Sequence, residues 1–147
     1  MNSKGSKQDV IADEMIMNRI YVLRGTKVMI DEDLALLYKV GAVRIRALLG
    51  KNTERFPEDF MFPLSLKDYQ ALCRQDSLSR PEMPEEFPVA LTEKGLAMLA
   101  GLVKGGRSIE VNIRIIRIFA LIRQVLPDDL DLSRAMAALQ GNKSCRK

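Results

Sequence analysis

The sequence predicts a small single α+β domain: an N-terminal β-hairpin, a helix-turn-helix-like helix pair, a small antiparallel sheet and a long C-terminal core helix. Three observations predict it. Two β-type runs, 20–23 and 27–30, flank a glycine turn. Helical patterns over about 32–38 and 42–50 are separated only by Lys39, Val40 and Gly41, the outline of a helix-turn-helix. Residues 107–126 carry apolar side chains at three- and four-residue spacing throughout. A chain of 147 residues, 47% hydrophobic and 29% charged, can bury one such core.

The elements follow in order. Residues 1–14 read as a flexible leader of Ser, Gly and Lys that runs into a weakly patterned helix over 10–18. Arg24, Gly25 and Thr26 turn the hairpin, with Gly25 supplying a positive φ. Asp31 is placed as the N-cap of the first helix of the pair, whose inward face is Leu34, Leu37 and Tyr38. In the second helix Val43, Ala47 and Leu48 are expected inward. Pro57 disfavours helix at Phe56. An extended run over 60–64 contains Pro63, which cannot donate to a ladder and belongs on a sheet edge. Ser65 to Asp68 forms a capping box that opens a helix to about Cys73 or Gln75. Residues 76–86 form an acidic loop, and 87–91 a strand. Thr92 caps a helix to about Val103, ended by Gly105 and Gly106. On the long helix Ile109, Ile113, Ile116 and Ala120 make one stripe and Val111, Ile115, Phe119 and Ile122 a second. That arc is wider than a surface helix needs, so the helix is central to the core or meets a partner subunit. A short helix over 132–140 and a basic tail at 143–147 complete the chain.

Composition excludes several function classes. The chain has no histidine, which removes the commonest general base and zinc ligand. Cys73 and Cys145 stand in no metal-type spacing, and free thiols in a reducing cytoplasm are expected. The neighbouring acids Glu58-Asp59 and Asp31-Glu32-Asp33 offer no complete ligand set; Asp31 and Asp33 are explained by capping and the helix dipole. No apolar run is long enough to span a membrane. No catalytic residue, metal or cofactor is assigned.

The net charge of +4 is permissive for nucleic acid without being diagnostic; its distribution says more. Residues 42–55 carry a net +3 and residues 104–123 a net +4, whereas 76–91 carry −3. The first basic segment is the second helix of the pair and its exit. Arg44 and Arg46 are candidates for base edges or phosphates, because the planar guanidinium fork matches both. Two residues apart on a helix, they point about 200° apart and cannot both face one groove. Lys51, Asn52 and Arg55 would clamp the DNA backbone past the helix end, or Asn52 would read adenine. A solvated cationic face explains the same residues equally well. Phe56, Phe60 and Phe62 are read as core anchors rather than base-stacking rings, and Tyr21 and Tyr38 as core.

An ordered set of blocks resembles a known family. They are Ile20-Tyr21-Val22-Leu23-Arg24-Gly25, Val28-Met29-Ile30-Asp31, Asp33-Leu34-Ala35 with Leu37-Tyr38, and Lys51-Asn52. Arg55-Phe56-Pro57-Glu58-Asp59-Phe60-Met61-Phe62 and Leu91-Thr92-Glu93-Lys94-Gly95 follow, with Val111-Asn112-Ile113 and Arg117-Ile118-Phe119 on the long helix. Over about residues 15–126 the chain resembles the KilA-N-related DNA-binding domain of phages and prophages, in the branch named for the N-terminal region of an "open reading frame six" protein. The resemblance implies a non-enzymatic, double-stranded DNA-binding module, a transcriptional regulator or antirepressor, with Arg44, Arg46, Lys51, Asn52 and Arg55 on the family's basic helix and its exit. The chain departs from the pattern at Lys51, where arginine is frequent, at Pro63, and in the acidic loop before Leu91, which is commonly basic in relatives. The alternative is a protein-interaction module that binds a repressor directly. A homodimer through 107–126 is expected from the apolar arc. The organisation expected is a leader (1–14), the domain (15–126, with a core over 20–103 and the helix 107–126), and a short helix with a basic tail (127–147).

Overall fold

A computed structural model describes residues 13–76 and 80–125. Among the described residues, six α-helices and a four-stranded antiparallel sheet alternate. They are α1 (Asp13–Met17), β1 (Tyr21–Leu23), β2 (Thr26–Ile30), α2 (Asp31–Tyr38), α3 (Ala42–Lys51), β3 (Met61–Pro63), α4 (Leu66–Gln75), β4 (Val89–Thr92), α5 (Glu93–Ala100) and α6 (Gly106–Val125). The expected α+β class stands. The leader up to residue 12, residues 77–79 of the acidic loop, the 132–140 helix, Cys145 and the basic tail lie outside the described residues.

The sheet order is β1-β2-β4-β3. The hairpin register, Tyr21 opposite Val28 and Leu23 opposite Thr26, leaves a two-residue turn of Arg24 (φ 55°) and Gly25 (φ 72°). Two positive φ values in succession are the turn whose twist suits a hairpin. Pro63 lies on the outer strand β3, as its missing N–H requires. On the other outer strand, Val22 N–H donates to Gln75 Oε1 (2.8 Å) and Gln75 Nε2 donates back to the Val22 carbonyl (2.7 Å).

Alternation along the strands sorts the core into two sides. Tyr21, Leu23, Val28, Ile30, Phe62 and Ala90 pack with Tyr69 and Leu72 of α4 on one face. Met29 and Leu91 face the larger core, built with α1, α2, α3, α5 and α6. The sheet is thus held between one helix and five. Ser65 and Asp68 form the expected capping box, and Arg24 reaches from the hairpin turn to Asp68 (2.8 Å) with its guanidinium 4.0 Å from the Phe62 ring centroid. The Thr92 side chain caps α5 by accepting from Gly95 N–H (3.3 Å). α5 lies so close to the entry of β3 that a Cβ at Gly95 would stand 2.0 Å from the Phe60 carbonyl oxygen. Glycine is required there by proximity, not by φ.

Several expectations are corrected. Asp31 is not the N-cap of α2: Ile30 holds that position without a side-chain bond, and Asp31 is the first helical residue. α3 turns Ile45 and Leu49 inward, while Val43 (80% exposed) and Ala47 face solvent. Burying the larger Ile and Leu removes more apolar surface from water than burying Val and Ala. α5 stops at Ala100 rather than Val103, and β4 starts at Val89 rather than at residue 87. On α6 the stripe Val111, Ile115, Phe119 and Ile122 is buried, but Ile109 and Ile113 of the other stripe are nearly half exposed.

Candidate nucleic-acid interface

α2 and α3 are joined by Lys39, Val40 and Gly41. Lys39 ends α2 in the left-handed conformation, its N–H donating to the Ala35 and Leu36 carbonyls. Ile45 and Leu49 seat α3 on the core, so the opposite face is presented to solvent. That face carries Arg44, Ala47 and Lys51 at successive turns, with Val43 and Gly50 beside them. Arg55 follows in a short 3-10 turn, Thr53–Arg55. Arg44, Lys51 and Arg55 are exposed and make no ion pair among the described residues.

Two of the five expected site residues already have protein partners. Asn52 Nδ2 donates to the Leu48 carbonyl (2.8 Å), closing the end of α3 with its own side chain. Arg46 lies on the flank of the helix, between its buried and exposed faces, and is half-buried. Its Nε donates to Asp31 Oδ2 (2.7 Å), and it also pairs with Glu32 (3.3 Å) and Glu86 (2.5 Å). Three carboxylates therefore surround the cation expected to meet phosphate.

The acids of this network were read as capping groups, and Asp31 and Asp33 are indeed in the first turn of α2. Burial gives them a larger task. Asp31 is fully buried; besides Arg46 it accepts from Glu32 N–H (2.9 Å) and from Val89 N–H at the start of β4 (3.1 Å). Asp33 accepts from Arg19 (2.6 Å). Burial raises the Asp33 carboxyl to about 6, against the opposing pull of Arg19 and Arg80. Arg80, the lone cation of the acidic loop, pairs with Asp76, Glu32 (3.4 Å) and Asp33 (3.7 Å). Tyr69 adds a bond to the Pro81 carbonyl (2.7 Å). The acidic segment is thus fastened to the helix pair through Arg80 and Glu86. Sequence reasoning missed Arg80 and Glu86; the signal available was a single arginine among four acids.

The anchor residues are where expected. Phe56 and Phe62 are buried and Phe60 is half-buried, and the Phe60 carbonyl accepts from Thr92 N–H (3.0 Å). They hold the segment that leaves α3 against α5 and the sheet. The second basic segment is mostly engaged: Arg114 pairs with Asp13 (3.3 Å), Arg123 with Glu93, and Arg107 Nε donates to the Leu37 carbonyl (2.8 Å). No group of acids, cysteines or histidines that could hold a metal occurs among the described residues.

The sequence profile of the ORF6N domain matches residues 18–102, more than half of the chain. The chain belongs to the ORF6N domain family. No curated protein and no solved structure gives a significant match. The ORF6N match runs from the end of α1 to just past α5, so it contains the helix pair, the aromatic anchor and the whole sheet. The family is phage-associated, and α6 lies beyond the matched residues. No helix of the described residues is long and apolar enough to cross a membrane.

Proposed function

We propose that this ORF6N domain binds double-stranded DNA through the exposed face of α3, without catalysis, as a regulator of phage or prophage type. The observation that carries the reading is the combination of unpaired cations and small side chains on one face. Arg44, Lys51 and Arg55 lack carboxylate partners among the described residues, while Val43, Ala47 and Gly50 let the helix approach a groove closely. Arg44 contacts base edges or phosphate, Lys51 and Arg55 contact the phosphate backbone, and Arg46 positions the helix from its flank. Asn52 holds the helix exit. A fluorescence-polarisation titration of the full chain on duplex DNA at several salt concentrations tests the reading. Micromolar or tighter binding with a steep salt slope is expected, and no binding at low salt overturns it.

A second role, self-association, is favoured by the apolar face that α6 leaves open. Ile109, Ile113 and Ile116 line a groove of about 370 Å³ with Ala100 and Arg117. The buried Asn112 lies in the same groove; its Oδ1 accepts from Tyr38 (2.6 Å), but its Nδ2 has no partner among the described residues. A second copy of this chain is the occupant proposed, because two copies related by a two-fold axis would present two α3 helices to a two-fold DNA site.

A further inference from the structure

A cavity of about 260 Å³ opens between α2, α3 and the start of α6. Arg44 of α3 and Lys104, just before α6, both line it, and no carboxylate does. Neither cation has an ion-pair partner among the described residues. Ser108 lines the same cavity. It is only 7% exposed, yet its hydroxyl makes no hydrogen bond to any described residue. That hydroxyl therefore gives up no protein partner when it meets a ligand in the cavity.

Ser108 also lies in the first turn of α6, a helix of 20 residues. The helical ladder opens with Ile109 N–H donating to the Gly105 carbonyl (3.1 Å). The amides of Gly106, Arg107 and Ser108 therefore precede the helical ladder, as the leading amides of any helix do. With the helix dipole, such a terminus favours an anion. The Arg107 side chain is turned away to the Leu37 carbonyl and fixes this terminus against α2. The remaining wall, with Val40, Leu48 and Val103, is apolar and suits the carbon edge of a sugar.

We propose that this cavity binds the phosphate group of a phosphate ester, held by Arg44, Lys104, the Ser108 hydroxyl and the leading amides of α6. The phosphate comes from a DNA backbone lying along α3 or from a free phosphate ester. The first source rests on the DNA reading above, since Arg44 belongs to both surfaces.

The test is a titration of the ¹⁵N-labelled full chain with inorganic phosphate, with potassium chloride matched in ionic strength as the control. Saturable shifts of the Gly106, Arg107 and Ser108 amides are expected with phosphate alone, and Lys104→Ala and Ser108→Ala each weaken them at least tenfold. Lys104 is exposed, so its variant keeps the test valid if the buried Ser108 variant fails to fold. Unmoved amides, or shifts unchanged in Lys104→Ala, overturn the proposal. A duplex oligonucleotide forms the second arm. If DNA is the source, the duplex moves the same amides, and Lys104→Ala lowers its salt slope by about one. Amide shifts with phosphate but no duplex binding leave the cavity standing as a site for free esters and sink the DNA reading. Duplex binding with amides unmoved by phosphate does the reverse.

Discussion

Arg46 donates through Nε to the fully buried carboxylate of Asp31 at 2.7 Å, joining the second helix of the pair to the first turn of the helix before it. The same carboxylate accepts from Val89 N–H, so one acid ties α2, α3 and β4 together. Removing the cation would strand a buried charge. Arg46→Ala is expected to cost about 3 kcal/mol or more in urea denaturation. Arg44→Ala, on the exposed side, is expected to leave stability within about 0.5 kcal/mol. Equal losses for the two variants would show that the ion cluster does not hold the helices.

DNA affinity should divide the same residues the other way. Arg44→Ala is expected to weaken duplex binding by about 1–3 kcal/mol, and Lys51→Ala to lower the salt slope by about one. Both would be read from polarisation curves on variants whose melting matches the parent. Unchanged affinity in both moves the contact surface off α3.

Gly95→Ala probes the contact between α5 and the entry to β3. The added methyl would meet the Phe60 carbonyl at 2.0 Å, and backbone on both sides leaves little to yield. A loss of about 3 kcal/mol is expected. A melting temperature equal to that of the parent would mean that α5 can slide outward at little cost.

The buried carboxyl of Asp33 gives a signed pH dependence. Its folded value, about 6, lies above the ordinary carboxylate range because burial outweighs Arg19 and Arg80, with Asp76 adding to the rise. The stability it contributes is therefore full at acid pH, where both states hold the proton, and is lost as pH rises through 6. Asp68 works in the opposite sense: the hydrogen bond from Arg24 lowers it, and its contribution is lost towards acid. The informative quantity is thus the difference between the parent and Asp33→Asn. That difference should shift against the parent by about 2 kcal/mol between pH 4 and pH 7. A constant difference across that range would remove Asp33 as the cause.

For self-association through α6, Ile113→Glu is the informative change. Light scattering of the parent should show a dimer at high concentration, and the variant a monomer. A monomeric parent at high concentration rejects the second copy as the occupant of the groove.

Local signals were legible in the sequence because local chemistry enforces them. The hairpin at Arg24-Gly25, the capping box of Ser65 and Asp68, the Thr92 cap and the edge position of Pro63 all depend on neighbours within a few residues or on a missing donor. The side chosen by α3 was not legible, because Val43 and Ala47 fit a helical stripe as well as Ile45 and Leu49 do. Which pair turns inward depends on the core beneath. The role of Arg46 was hidden for a related reason. Its partners Asp31 and Glu86 lie 15 and 40 positions away, and net charge over a segment cannot say which cations are already matched. Arg44, Lys51 and Arg55 are the expected site residues for which no carboxylate partner is found among the described residues.

The two outer strands carry one last consequence. On β1 the Val22 N–H and carbonyl are both occupied by the Gln75 carboxamide. On β3 the Met61 N–H is taken by the Pro57 carbonyl (3.1 Å), and Pro63 has none. A sheet normally invites an extended foreign segment to add itself along an exposed border, the route to runaway stacking. Here a side-chain amide imitates the missing neighbour on one border and an imino acid silences the other. Among the described residues, an extended segment from any neighbour therefore finds few open donors along either border.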